Sequence, residues 1–434
     1  MAEIKHYEEM KDSGIPYIGL TPSHWEILPN KRVMKKVKDI CEKWEGEDVM
    51  SLTMNGVIVR DLVNPTGKMP TTFDGYQYIK NGELLMCLFD IDVTPRCIGR
   101  VNHNGVTSPA YSRFITSENV CRDYYYYYYL MMDHTKELLT YAKNLRHSLT
   151  EEQIGALKVL KPSLKEQHVI ADYLDTRCSQ IDEIIEEAKK SIEDYKALKF
   201  AVIQEAVTKG LDPDVEMKDS GIEFAGEIPK AWQKVRFIRT NWVRGRLGWK
   251  GLKADEYVDE GYPFLSAFNI INSHLSWDEL NHITKERYDE SPEIKLSIGD
   301  IVLVKDGAGI GKCARIDELP LGEATVNSSL AVITPQDIIY YKYEYYYFLS
   351  PMFQNIITRL RNGMGVPHLT QESMKAIYMP LPTLEEQKKI SNYLDSRVGE
   401  MDTLIAEKQL LIEDLEKYKK SHIYEVVTGK RKVT

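Results

Sequence analysis

The sequence predicts an α+β protein written twice: two α+β domains in equivalent frames, each followed by a long helix, with the two helices forming an intramolecular coiled-coil pair. Three observations predict it. Leu160 to Gly210 recurs as Leu381 to Lys430 at an offset of 220. Met10-Lys11-Asp12-Ser13-Gly14-Ile15, with Gly19, Pro22 and Trp25, recurs as Met217-Lys218-Asp219-Ser220-Gly221-Ile222, with Gly226, Pro229 and Trp232, at an offset of 207. Between these frames, Glu26 to Val159 and Gln233 to Met379 resemble each other only at landmarks, and the second is 13 residues longer, the difference between the two offsets. The reading gives four parts: an N-terminal repeat with the first domain (1–159), a central helix (160–210), a linker repeat with the second domain (211–380) and a distal helix (381–434).

The helices share Pro162/Pro382, Leu164/Leu384, Glu166/Glu386, Gln167/Gln387, Tyr173/Tyr393, Leu174/Leu394, Asp175/Asp395 and Arg177/Arg397, and the match runs on to Val207/Val427. After the proline neither copy holds Gly or Pro for most of forty residues except Gly399, and strong helix formers dominate. Apolar positions step by three and four through Ile181, Ile184, Ala188, Tyr195, Leu198 and Val202, and through Met401, Leu404, Leu411, Leu415 and Tyr418. So narrow a stripe wants a partner helix, and each copy supplies the other's missing face. At 1.5 Å per residue the pair should reach roughly 55 Å.

Taken in order, Met1 to Lys11 is polar with no apolar signal core, and no run approaches the eighteen apolar residues of a membrane span, so a cytoplasmic protein is expected. The 434 residues allow two to four domains, and 43% hydrophobic residues suffice for proper cores. Six scattered cysteines, without a Cys-x-x-Cys pair or a nearby His at ligand spacing, read as reduced and structural, with no metal and no cofactor held by this chain. A net charge of -9 argues against nucleic acid until it is located: Ser163 to Thr208 holds six basic and ten acidic residues, Thr383 to Thr428 seven and ten, so the helices carry -7 of it. Lys31, Arg32, Lys35, Lys36 and Lys38 read as a solvated face. Lys234, Arg236, Arg239, Arg244, Arg246, Lys250 and Lys253, with no acid among them and Trp242 and Trp249 interleaved, have the composition of a nucleic-acid surface.

Within the domains, Gly82-Glu83 opens an apolar strand, Leu84 to Phe89, before Ile98-Gly99-Arg100; Gly299-Asp300 opens Ile301 to Val304 before Ile310-Gly311-Lys312. Both read as a turn, a buried strand and a tight glycine turn presenting a cation. Each domain then reaches an aromatic helix, Tyr124 to Leu130 and Tyr343 to Leu349. The six tyrosines Tyr124 to Tyr129 favour core packing, with hydroxyls at the surface or an interface, over base stacking.

Catalytic motifs fail on inspection. Gly307 to Cys313 echoes a P-loop, but Asp306 stands where Gly is required and Cys313 replaces the Mg²⁺-binding Ser/Thr, which leaves a strand turn. Asp214, Glu216 and Lys218 carry nuclease letters on a linker, too close together to come from separate strands. Asn64-Pro65-Thr66-Gly67 lacks the second proline and the ring of an amino-methyltransferase loop. For DNA, arginine and lysine on tight turns suit guanine readout or phosphate clamping, which singles out Arg96, Arg100, Tyr111 and Arg113 in the first domain and Arg244, Arg246, Trp249, Lys250, Lys305, Lys312 and Arg361 in the second.

Met-Lys-Asp-Ser-Gly-Ile before Gly and Trp, Pro-x-Leu-x-Glu-Gln leading into Ile-x-x-Tyr-Leu-Asp-x-Arg, and Gly-Asp-Ile with Ile-Gly-Lys together resemble the specificity subunits of type I restriction-modification systems, over nearly the whole chain. The resemblance implies a non-catalytic subunit with two target-recognition domains, each reading one half of a split sequence in double-stranded DNA. It implies helices that dock two modification (methyltransferase) subunits, restriction subunits that join later, and S-adenosylmethionine, ATP and Mg on those partners. Because equivalent bases on opposite strands are related by a twofold axis, the two helices should run antiparallel as a pseudo-twofold pair. Lys161-Pro162-Ser163 with Gln167-His168, against Leu381-Pro382-Thr383 with Gln387-Lys388, distinguishes the two expected docking surfaces. The competing reading is a coiled-coil scaffold that binds proteins and no DNA; it leaves the acid-free Arg/Trp run unexplained.

Overall fold

The computed structural model describes residues 5–433 apart from 66, 68, 143, 246–251, 253, 308 and 363–367. Two helices are far longer than any other described element: the central helix, Leu164–Lys209, and the distal helix, Leu384–Val427. Their 46 and 44 residues give about 69 and 66 Å at 1.5 Å per residue, more than the sequence reading allowed. The central helix starts at a box in which Ser163 Oγ accepts from Glu166 N and Glu166 Oε2 accepts from Ser163 N. Each helix runs out into a left-handed glycine, Gly210 at φ 78° and Gly429 at φ 75°. The chain divides into two compact units, Met1–Lys189 with Leu410–Thr434, and Lys190–Gln409, so each helix contributes to both.

In the first unit the strands are β1 (Met10–Asp12), β2 (Leu20–Pro22), β3 (Glu26–Pro29), β4 (Met34–Val37), β5 (Ile40–Cys41), β6 (Val49–Thr53), β7 (Gly56–Val59), β8 (Tyr76–Ile79), β9 (Leu84–Met86), β10 (Ile98–Arg100), β11 (Gly105–Thr107), β12 (Ser112–Thr116) and β13 (Lys158–Lys161). They form a ribbon β1-β2, a four-stranded sheet β10-β9-β12-β4, a five-stranded sheet β5-β8-β11-β6-β7, and the antiparallel pair β3-β13 that ties the start of the domain to its end. The inner strand β9, Leu-Leu-Met, is buried throughout, which is why it reads as an unbroken apolar run. The first tyrosine helix, Arg122–His134, joins one apolar core with β9, β10 and β12.

The second unit repeats the plan with β14 (Met217–Asp219), β15 (Glu227–Pro229), β16 (Gln233–Arg236), β17 (Asn241–Arg244), β18 (Tyr262–Leu265), β19 (Ile270–Ile271), β20 (His274–Leu275), β21 (Asn281–Ile283), β22 (Ile301–Val304), β23 (Cys313–Arg315), β24 (Thr325–Val326), β25 (Leu330–Pro335) and β26 (Tyr378–Leu381). Ribbon β14-β15, sheet β17-β25-β22-β23 and closing pair β16-β26 match their counterparts strand for strand. The second sheet is smaller, β21-β18-β24. The second tyrosine helix, Tyr341–Leu349, packs with β22, β23 and β25.

The long helices pair antiparallel in each unit taken alone. In the first, Tyr173 meets His422 with ring centroids 5.5 Å apart, and further along Asp182 accepts from Lys419 at 2.6 Å. In the second, the Lys408 ammonium stands 6.0 Å from the Tyr195 ring centre, and Lys199 donates to Asp402 at 2.7 Å. The apolar seam of the central helix is Ile181, Ile185, Ala188 and Ile192, spaced by four, three and four. Of the stripe expected from the sequence, Ile184, Leu198, Leu404, Leu411 and Tyr418 are instead 37–50% exposed. A two-helix seam buries only a narrow line of side chains, so a helix with apolar residues on two faces leaves one uncovered.

Two other expectations need correction. Ile98-Gly99-Arg100 is a strand, not a glycine turn: Gly99 pairs with Leu85, and a Cβ there would lie 2.6 Å from Val57. The true turn is at Gly311, φ 92°. In sheet register Arg100 corresponds to Arg315, since Gly99 faces Leu85 as Ala314 faces Val302. The tyrosines Tyr124 to Tyr129 are all core residues, none more than 7% exposed, and the hydroxyls of Tyr124 and Tyr127 meet the long helices rather than the surface. The P-loop echo, as expected, leads into a strand, β23.

Candidate nucleic-acid interface and its frame

The recurring motifs act as a frame. Lys11 and Lys218 each donate from Nζ to the backbone oxygen of the repeat's tryptophan, Trp25 and Trp232, at 2.6 and 2.7 Å. Each indole N–H then reaches the glutamate of the Glu-Gln motif, Trp25 to Glu166 at 3.3 Å and Trp232 to Glu386 at 2.9 Å. Burial opposes the Glu166 charge, yet hydrogen bonds from His24, Ser163 and Trp25 hold its pKa below the usual range. The neighbouring glutamines are fully buried and start the tyrosine helices: Gln167 Oε1 accepts from Cys121 N at 2.9 Å and Gln387 Oε1 from Tyr340 N at 2.7 Å. At their first turns, Tyr124 donates to the Val427 carbonyl at the end of the distal helix, and Tyr343 to that of Val207 at the end of the central helix, at 3.0 and 3.2 Å.

The aspartates of Tyr-Leu-Asp fix the four-stranded sheets to the long helices. Asp175 accepts from Arg100 and from the Tyr127 hydroxyl, each at 2.7 Å, while the Arg100 guanidinium lies 4.4 Å from the Tyr126 ring centre. Asp395 accepts from Arg315 at 2.8 Å, Tyr346 at 2.7 Å and Lys342 at 2.9 Å. Burial would raise the Asp395 pKa; the bonds from Lys342, Arg315 and Tyr346 lower it below the usual carboxylate range. Arg100 is thereby committed to the frame.

Arg113 and Arg244 are committed too. Arg113, 2% exposed, donates to both Glu83 oxygens at 2.8 and 2.7 Å. Arg244, 8% exposed, donates to Asp300 at 2.6 Å and to the Lys295 carbonyl at 2.8 Å. Arg96 spends its guanidinium on the Ile98 and Met54 carbonyls at 3.0 and 2.7 Å and on the Tyr126 hydroxyl, bracing the β6–β7 hairpin. Arg113 and Arg244 cannot turn to DNA without leaving the buried carboxylates of Glu83 and Asp300 unpaired. Arg246, Trp249 and Lys250 lie outside the described residues.

What the structure leaves at the surface differs between the units. In the second, the β22–β23 connection carries Lys305, half-buried with Nζ 3.5 Å from Asp306, and Lys312, exposed with its stem over Gly309. The connection is clamped: Gln354 Nε2 donates to the Gly311 carbonyl at 3.0 Å, Lys305 O accepts from Leu369 N at 2.9 Å, and Asp306 bonds His368. Gln354 belongs to the helix Pro351–Asn362, and Ile357 also touches Gly311. Arg361, exposed, follows Ile357 by four residues, so it extends the helix face that meets the turn. In the first unit the corresponding connection is acidic rather than basic, with Asp90 and Asp92 exposed, and beside it Tyr111, half-buried and with its pKa raised by burial, lines with Arg96, Phe89 and Met54 a concavity of about 330 Å³. Met54 and Val93 are 62% and 74% exposed beside it. The wider Arg/Trp run is mostly structural where it is described: Lys234 and Arg236 flank the Tyr378 ring at 4.6 and 5.6 Å, while Trp242 is 59% exposed beside Arg244.

The sequence reading missed Glu83, Asp300 and Arg315. Glu83 and Asp300 stood out only as the openers of the apolar strands, and Arg315 gave no signal: Asp175 and Asp395 repeat at the 220 offset, but Arg100 and Arg315, which meet them, are 215 apart in segments that do not align. Among the described residues no cluster of His, Cys, Asp and Glu could hold a metal, and no helix is long and apolar enough to cross a membrane.

Fold and frame together define a class: a duplicated α+β chain in which one helix-bound frame carries two unlike surfaces. The chain belongs to the Type I restriction modification DNA specificity domain family, which matches residues 30–194 and 249–414, well over half its length. It is 28% identical over 280 residues to the type I restriction enzyme MjaVIII specificity subunit of Methanocaldococcus jannaschii, covering 64% of this chain and 63% of that one. To the EcoKI specificity subunit of Escherichia coli it is 27% identical over 212 residues, 48% and 44% of the two chains. The chain thus spans less than two thirds of the length of these curated relatives. Its fold is shared with a chain from a structure described as the basis of complex assembly and conformational transition of the type I R-M system, at TM-score 0.70 and 14% identity over 94% of this chain and 99% of that one. It is shared also with the HsdS subunit from Thermoanaerobacter tengcongensis, at TM-score 0.52 and 15% identity over 94% and 98%.

Proposed function

We propose that this chain is the DNA-reading subunit of a type I restriction-modification enzyme, recognising a target in two halves and catalysing nothing itself. The observation that carries the reading is the contrast between the two units: frames held by equivalent Trp–Glu, Gln–backbone and Arg–Asp bonds carry sheet edges of different chemistry, lysine and arginine on one, tyrosine, methionine and valine beside Asp90 and Asp92 on the other. Cations on a clamped turn suit phosphate or guanine, and apolar side chains suit the thymine methyl. The long helices dock two modification subunits, to which restriction subunits add, in the cytoplasm; S-adenosylmethionine, ATP and Mg belong to those partners. The acidity of the helices and their uncovered apolar residues support a protein partner there rather than DNA.

The test is domain replacement. Exchanging Gln233 to Met379 for the corresponding segment of a relative should rewrite one half of the methylated sequence and leave the other intact. A change in both halves would refute two independent readers. With S-adenosylmethionine and DNA the purified chain should transfer no methyl group until the modification subunit is added.

A further inference from the structure

The internal repeat compares two places where a long helix ends. In the first unit the distal helix is followed by Lys430 to Val433, which lies along the helix end: Arg431 Nε pairs with Glu425 at 3.1 Å, Arg431 Nη1 approaches His422 Nδ1 at 3.1 Å, and Val433 packs on the core. The opposite wall is the segment before β1, where Lys432 N donates to the Lys5 carbonyl at 2.9 Å and the Lys432 ammonium stands 5.7 Å from the Tyr7 ring centre. The filler and the wall are separate stretches of chain.

In the second unit one stretch would have to be both. By the 220 offset, residues 210–213 correspond to the filler 430–433; by the 207 offset, residues 212–215 correspond to the wall 5–8. Asp212, Pro213 and Val215 stand in the wall. A groove of about 670 Å³ remains, lined by Val202, Glu205, Ala206, Leu211, Val215 and Tyr393 among others. Glu205 is the counterpart of Glu425 and Tyr393 that of Tyr173. Tyr393 and Leu211 are 39% and 43% exposed, and Glu205, its side chain 69% exposed, has Lys209 at 3.9 Å in place of an arginine. Asp212 and Glu227 add to the acidic lining.

We propose that this groove takes a short basic-aliphatic segment of the modification subunit, an arginine to Glu205, as Arg431 pairs with Glu425 in the first unit, and, two residues on, an aliphatic side chain between Leu211 and Tyr393, at the spacing of Arg431 to Val433. The inference rests on the reading that modification subunits dock on this chain, and it adds a place, a chemistry and a template taken from the molecule itself. An arginine-carboxylate pair beside an apolar slot is a directional site, since the charge fixes register and the aliphatic group supplies buried area.

Two measurements on the full chain test it. A photo-crosslinking benzoylphenylalanine at Leu211, in the complex with the modification subunit, should join a peptide of that subunit containing arginine or lysine, and Glu205→Lys should weaken assembly at least tenfold. Assembly without the crosslink, a crosslink to a peptide lacking a basic residue, or wild-type assembly by Glu205→Lys would overturn the proposal. Separately, the synthetic peptide Lys-Arg-Lys-Val-Thr, the sequence 430–434, should bind the chain saturably and lose at least tenfold in affinity with Glu205→Lys. If the two proteins do not associate at all, the docking reading fails; the peptide then decides whether the groove is a basic-aliphatic site. No saturable binding, or binding indifferent to Glu205→Lys, overturns that as well.

Discussion

Arg113 stands directly across the β12–β4 pair from Val37, and in the second unit the corresponding positions hold the same two residue types exchanged, Val332 facing Arg244. The acid does not move: Glu83 and Asp300 each head the inner strand of the sheet. A carboxylate buried there needs a guanidinium within reach, and either of two directly opposed residues, with Cβ atoms about 4.5–5.5 Å apart, can provide it. The pair is a buried requirement of the sheet, met from either strand.

Arg113→Val should therefore cost the first unit about 3–5 kcal/mol, the usual effect of stranding one member of a buried ion pair. Adding Val37→Arg should restore most of the loss by copying the second unit's arrangement. Urea unfolding of wild type, single and double variants measures this. A double variant no more stable than the single would show that the two positions are not interchangeable.

Asp395→Asn should lower the stability of the second unit by about 1.5–3 kcal/mol, since the hydrogen bonds it accepts are charge-assisted. The lost contacts lie between the four-stranded sheet and the long helix, so affinity for all DNA targets should fall together, leaving the order of preference unchanged. Binding across a panel of sequences checks this. A changed preference would place Asp395 or Arg315 in the reading surface itself.

Glu344, fully buried in the second tyrosine helix, has its pKa pushed up to about 8 by burial, against a hydrogen bond from Asn241. Glu344 Oε2 and Asn241 Oδ1 have no partner among the described residues, and one proton on the carboxyl would let Oε2 donate to Oδ1. With the folded pKa above the unfolded one, the folded state holds the extra proton, so this group's stabilisation is complete below about 4.5 and declines as pH rises to about 8. Glu344→Gln keeps a donor and an acceptor without titrating. The melting temperature of this variant relative to wild type should climb between pH 5 and 8; parallel curves would show that Glu344 keeps its ordinary ionisation in the fold.

Lys312→Ala and Arg361→Ala should each weaken binding to all sequences and, if the side chain lies on a phosphate, flatten the plot of log affinity against log salt by about 0.9. Loss confined to one base pair of the target, with the slope unchanged, would mark a base contact instead.

The sequence by itself determined the plan: a duplicated chain, two long helices and divergent domains in matched frames, because repeats and helical periodicity are local properties written in residue order. It also singled out the residues of the frame, Trp25, Glu166, Gln167, Asp175 and their copies, without their duties. Tertiary structure decided which cations are already spent on carboxylates. Arg100, Arg113 and Arg244 look in sequence like Lys312 and Arg361, yet the first three are held by Asp175, Glu83 and Asp300, residues 75, 30 and 56 positions away. Such pairing depends on strand order and register, and a side chain's availability depends on what is packed against it; neither is encoded within the few residues around it. The same reason left Ile184 and Leu411 exposed while Ile185 and Ile412 were buried: one step along a helix rotates a side chain by about 100°, and only the partner's position fixes which side is inside.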